Sequence, residues 1–203
     1  MIRMRHLMAA LGAAALAACA SAPLHYYTLL PAPDSADTQS ATAPANFQFE
    51  LMAVGVPAQD DVPQLVVRQG GQSVALLDGQ RWAAPLSDEV RGALAVDLSR
   101  QLRAPDISSG VPVNSKPVLR IKVDLRRFDS APGSYALIDA TWTVRELRSQ
   151  AVLTCSSRIS ENVGQGYAEL VAGHQRAVSA LAGQIARVAP AMAAGSVPEC
   201  PGA

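Results

Sequence analysis

At 203 residues the chain suits one domain with accessories rather than two full domains. Its 17 basic residues balance 17 acidic ones. No run or stripe of Lys and Arg appears, which excludes the electrostatic footprint of a nucleic-acid binder.

Residues 1–18 have the three parts of a lipoprotein signal peptide. Arg3 and Arg5 make a positive start (from Met1 or from Met4), Leu7 to Leu16 are apolar, and small residues close the segment. The apolar run falls short of the roughly 20 residues needed to span a bilayer. It ends in Leu16-Ala17-Ala18-Cys19, a lipobox: small residues admit the peptidase, and the Cys19 thiol is the atom that carries a diacylglyceryl group. Cys19 is therefore the expected lipidation site. Buried methylenes contribute about 0.8 kcal/mol each, so a diacylglycerol with an N-acyl chain such as palmitate makes a durable membrane anchor. Ala20, where an Asp would favour inner-membrane retention, points to an outer-membrane address facing the periplasm.

Residues 19–46 read as a lipidated flexible tether. Pro31, Pro33 and Pro44 stand among many Ala, Ser and Thr residues, which cannot pack a core. Within it, His25-Tyr26-Tyr27-Thr28-Leu29-Leu30 is too apolar for a plain linker and should add to a sheet edge or dock on a partner.

The folded domain is expected over 47–190, with an irregular tail over 191–203. Phe47 to Val56 alternates loosely as a strand ended by Pro57. Leu65–Arg68 and Ser73–Leu77 flank Gly70-Gly71 as a hairpin. Leu86 to Leu102 predicts a helix, with Ser87 as N-cap, Asp88 and Glu89 at the positive end, and Leu86, Val90, Leu94, Leu98 and Leu102 in one stripe. Leu119, Ile121, Val123 and Leu125 alternate with charged residues, and Ala136, Ile138, Ala140, Trp142 and Val144 alternate with Leu137, Asp139, Thr141, Thr143 and Arg145. Ala151, Leu153, Cys155 and Ile159 form the inner face of a third strand. Three such strands joined by short turns make an antiparallel meander. Tyr167 to Val188 closes the domain as a long helix, with Leu170, His174, Val178, Leu181, Ile185 and Val188 on one side. The expected fold class is α+β: a mainly antiparallel sheet, made of that meander plus N-terminal strands, with two amphipathic helices on one face.

Without the lipidated cysteine, Cys155 and Cys200 remain, an even number in an oxidising compartment. A tail crossing the last helix would bring Cys200 to Cys155 as a disulfide; the alternative is two unpaired thiols. No catalytic cluster emerges. His25 lies in the tether, and His174 on an apolar helix side reads as a packed or rim residue. Gly164-Gln165-Gly166 lacks the third glycine of a dinucleotide loop and follows an antiparallel meander. Asp60-Asp61 and Asp88-Glu89 read as a loop and a helix start, and no Cys/His spacing suits a metal. The expectation is therefore a non-enzyme without cofactor or metal.

The assembled residues resemble the PqiC-like family, the ABC-type transport auxiliary lipoprotein component (a membrane integrity-associated transporter subunit). Four marks carry the resemblance: the lipobox followed by Tyr26-Tyr27-Thr28-Leu29; Arg81-Trp82-Ala83-Ala84-Pro85-Leu86 running into a helix that ends Leu98-Ser99-Arg100-Gln101-Leu102; Gly166-Tyr167-Ala168-Glu169-Leu170-Val171 opening the last helix; and the alternating strands between. The resemblance covers most of residues 16–189. It implies a non-enzymatic subunit of an MCE/Pqi-type lipid transport system supporting envelope integrity. The implied partners are a PqiB-like MCE-domain periplasmic protein with its inner-membrane transporter, and a homo-oligomeric ring at the outer membrane. Tyr26, Tyr27 and Trp82 are the expected partner-docking residues, core packing being the alternative for each. An outer-membrane assembly or pilotin-type lipoprotein, escorting a β-barrel or secretin, would use the same anchor and a similar domain.

Overall fold

The computed structural model describes residues 23–32, 44–110, 113 and 115–202. The expected signal peptide and Cys19 lie outside the described residues. In chain order the elements are β1 (His25–Tyr27), β2 (Gln48–Leu51), β3 (Gln64–Arg68), β4 (Val74–Trp82), α1 (Leu86–Leu102), β5 (Val118–Ala131), β6 (Tyr135–Glu146), β7 (Val152–Asn162) and α2 (Tyr167–Ala193).

The meander forms as its alternation dictates. β5, β6 and β7 pair antiparallel, with Ile121 opposite Val144 and Trp142 opposite Cys155. Leu119, Ile121, Val123, Ile138, Ala140, Trp142 and Val144 are buried on the inner face. Arg120, Lys122 and Arg126 stay on the wet one, where Arg126 pairs with Asp139 at 2.5 Å. Burying one face of a sheet fixes its register, because a slip by one residue would turn every apolar side chain outward. A bulge between Leu125 and Arg127 shifts the phase, so that Phe128 and Ser130 join Ile138 and Ala136 on the inner face.

The fold is α+β, but its strands divide between two sheets rather than one. β2 joins the meander in the order β2-β5-β6-β7, and β1 joins the hairpin in the order β1-β4-β3. Both N-terminal additions, β1 on β4 and β2 on β5, are parallel. The strand predicted over 47–56 is shorter, ending at Leu51; the chain returns to β5 in an isolated bridge, where the Gly55 amide donates to the Val123 carbonyl at 3.1 Å. A Cβ on Gly55 would stand 2.6 Å from Asp124 Oδ1, so a larger residue here would push that half-exposed carboxylate aside.

α2 lies across the inner face of β5–β7, and α1 packs beside it, with Gln101 Nε2 donating to the Ser179 carbonyl at 3.1 Å. Gly173 lets α2 close on Val163 and Ala136, where a side chain would overlap. Two helix ends differ from expectation. Pro85, not Ser87, is the N-cap of α1, and no side chain caps it; the Pro85 carbonyl accepts from the Asp88 and Glu89 amides instead. α2 runs through Pro190 to Ala193, although proline removes one helical donor. Ala189 and Met192 are fully buried there, so packing of the last turn outweighs the lost bond.

Candidate functional site

The segment after the expected anchor is fixed to the domain. β1 runs parallel to the end of β4, with Tyr26 opposite Arg81 and Tyr27 opposite Trp82, and the Ala83 amide donates to the Tyr27 carbonyl at 2.8 Å. Tyr27 is half-buried, and its hydroxyl donates to Gln80 Oε1 at 2.7 Å. The chain then reaches the first turn of α1. There the buried Glu89 carboxylate accepts from Thr28 Oγ1 at 2.7 Å, from the Leu29 amide at 2.8 Å and from the Ala84 amide at 3.1 Å. Leu29 is fully buried in the core. From α2, Gln175 Nε2 donates to the Thr28 and Leu30 carbonyls at 3.2 and 3.4 Å. Within the tether expected over 19–46, the His25–Leu30 segment, which should add to a sheet edge or dock on a partner, takes a sheet edge on β4 and is docked on its own domain over residues 25–30. The sequence predicts Leu29 as apolar but gives no sign of Glu89 as its clasp, because the two are sixty residues apart.

This latch divides the three expected docking residues. Tyr26 is 62% exposed, and Leu24 and Leu30 in the same segment are exposed too. Trp82 takes the core-packing alternative: it is 5% exposed and meets Phe128 edge-on, ring centres 5.9 Å apart. It is the last residue of β4, and its indole joins the main hydrophobic core.

Behind Trp82 stands His174, fully buried and stacked on Phe128 at 3.9 Å. Its Nε2 shares a hydrogen bond with Ser130 Oγ at 2.8 Å, while its Nδ1 meets no partner among the described residues. Burial pushes the imidazole down to about 3, against the opposing pull of Asp129, so the ring is neutral at physiological pH. A nucleophilic triad needs a carboxylate on Nδ1 to orient the base. Asp129 is engaged elsewhere, accepting from Arg68 Nε at 2.7 Å and from Arg127 at 2.5 Å. Burial would raise its pKa, but the two guanidiniums outweigh that and hold the carboxylate below its usual range. The Ser130–His174 pair is therefore arranged as a core hydrogen bond.

The remaining pair, Cys155 and Cys200, is brought together by the tail after α2, with a 1.97 Å S–S distance and Cα atoms 5.7 Å apart. Among the described residues no group of side chains has the arrangement of a metal site. No helix among them is long and apolar enough to cross a membrane.

Two solved structures share the fold. An uncharacterised protein aligns at a TM-score of 0.64 and 18% identity, over 82% of this chain and 98% of its own. A protein from Xanthomonas campestris aligns at 0.56 and 17%, over 82% and 91%. A comparison with curated proteins found no match. A family model described as "ABC-type transport auxiliary lipoprotein component" matches residues 27–186, from the second tyrosine of the latch into the last turns of α2. The chain belongs to this PqiC-like family of transport auxiliary lipoproteins.

Proposed function

We propose that the chain is a non-enzymatic, outer-membrane lipoprotein subunit of an MCE/Pqi-type lipid transport system. Lipid on Cys19 holds it to the membrane, and the domain docks a PqiB-like periplasmic conduit served by an inner-membrane transporter. The observation that carries this reading is the latch. Cys19 stands six residues before His25, and six extended residues reach at most about 20 Å. An anchored Cys19 would hold the folded domain against the membrane surface, as a foot rather than a float on a long leash. It would also keep Tyr26, Leu24 and Leu30 exposed within a short chain length of the anchor, apolar side chains available to an interface. Family membership supplies the transport setting.

The test is a photo-crosslinking residue at position 26 in the lipidated protein, with Cys19→Ala as the control that loses the membrane. Crosslinks from position 26 should reach an MCE-domain protein, and crosslinks from buried position 82 should not. Recovery of no MCE-type partner from crosslinked envelopes would reject the reading.

A further inference from the structure

A groove of about 370 Å³ lies between the β3–β4 hairpin and the second half of β5. That volume is within the range of small-molecule sites. One wall is apolar: Val66, Phe128, and the half-exposed Val74 and Leu76. The polar wall holds Arg68, Arg127 and Asp60. Asp60 is 6% exposed, and its Oδ2 is fully buried without a hydrogen-bond partner among the described residues. A buried carboxylate oxygen without a donor is costly to keep, so this one marks a place where a donor belongs. Arg68 gives one N–H to Asp129 and another to the Gly71 carbonyl, and Arg127 gives one to Asp129. Each guanidinium has five donors, so both keep N–H groups for an anionic acceptor.

The charges choose the ligand. Two guanidiniums stand against two carboxylates, Asp60 and Asp129, so a plain anion would meet the carboxylates and a plain cation the arginines. A zwitterion answers both, with an N–H-bearing ammonium at Asp60 and a phosphate at the arginines. Apolar Val74 and Leu76 beside this pair suit hydrocarbon. We propose that the groove binds an aminophospholipid, with its amine on Asp60, its phosphate on Arg68 and Arg127, and the start of its acyl chains over Val66, Val74 and Leu76. The ligand class is consistent with the lipid-transport reading. The binding claim, however, concerns the isolated chain and stands or falls apart from the MCE partner.

The experiment uses the full mature chain bearing Cys19→Ser, exported behind an ordinary cleavable signal peptide, so that no detergent is present. Calorimetry measures binding of dihexanoyl phosphatidylethanolamine, phosphatidylcholine and phosphatidylglycerol below their micelle concentrations, and of phosphoethanolamine and inorganic phosphate. The ethanolamine lipid should bind saturably. The choline lipid, which has no N–H, and the glycerol lipid, which has no amine, should each bind about tenfold more weakly or worse. Asp60→Asn, checked for a single cooperative melting transition, should bring the ethanolamine lipid to the level of the choline lipid. Leu76→Ser, at an exposed position that folding tolerates, should weaken all three lipids while keeping their order. Equal affinity for the ethanolamine and glycerol lipids, no binding of the ethanolamine lipid, or no effect of Asp60→Asn would overturn the proposal. So would phosphoethanolamine or phosphate binding as tightly as the lipid, which would assign the groove to a soluble ligand. Partner crosslinking from position 26 is read separately, so either claim can fail alone.

Discussion

Replacing Glu89 by alanine should open the latch without unfolding the domain. The carboxylate accepts from two backbone amides, those of Leu29 and Ala84, and from the Thr28 hydroxyl. A hydrogen bond to a charged group contributes about 1.5–3 kcal/mol, and the buried Leu29 amide would lose its acceptor outright. Against this, the variant no longer has to bury a carboxylate, and Thr28 can turn to water. The net loss in latch closure is about 2–3 kcal/mol. Local opening free energy is read by hydrogen exchange, so the Leu29 and Ala83 amides should exchange roughly 30- to 150-fold faster. Core amides of β6, such as that of Trp142, should change far less. Glu89→Gln keeps one oxygen for Leu29 and Thr28 and should fall between the two. Chymotrypsin offers a second readout, because an opened latch exposes the bond after Tyr27. Unchanged exchange at Leu29 in Glu89→Ala would refute the clasp and leave β1 pairing and the burial of Leu29 as what holds the segment.

Removing the bridge with Cys200→Ser should lower stability by about 4 kcal/mol on the chain-entropy account, for a sequence separation of 45. For a chain of this size that is a drop in melting temperature of roughly 8–16 °C. Reductant should move the wild type toward the variant and leave the variant alone. Two buried titrating groups, His174 and Asp60, oppose each other in acid. His174, held down to about 3 from an ordinary 6.5, contributes stability that is full above pH 6.5 and is lost as pH falls toward 3. Asp60 is pushed up to about 6 from 3.8 by burial first and then by Asp129, with Arg68 opposing. It therefore adds stability as pH falls from 6 to 3.8. The two slopes, each up to about 1.4 kcal/mol per pH unit, offset one another in that window. Asp60→Asn should therefore lose stability between pH 6 and 4 more steeply than the wild type in urea denaturation, and a parallel pair of curves would reject the assignment.

How much of this was legible depended on the range of the interaction. Alternation over Leu119–Leu125 and Ala136–Val144 fixed the meander and its buried face, and the four-residue stripe from Leu86 to Leu102 fixed α1 to the residue, because a strand or helix period is a local property of the backbone. The spacing of Cys155 within β7 put its thiol toward the helix layer. The tertiary structure decided what local period cannot encode. It set β1 parallel to β4 and β2 parallel to β5, and split the strands into two sheets. It buried Trp82, carried α2 through Pro190, and joined Glu89 to Leu29 and Ser130 to His174. Each of these rests on contacts between residues far apart in sequence, whose energy exists only once both elements are in place. The alternating and helical patterns determined which elements form and which faces they bury. Packing among those faces decided which edges pair, which polar groups meet, and that the segment behind the expected anchor is part of the domain.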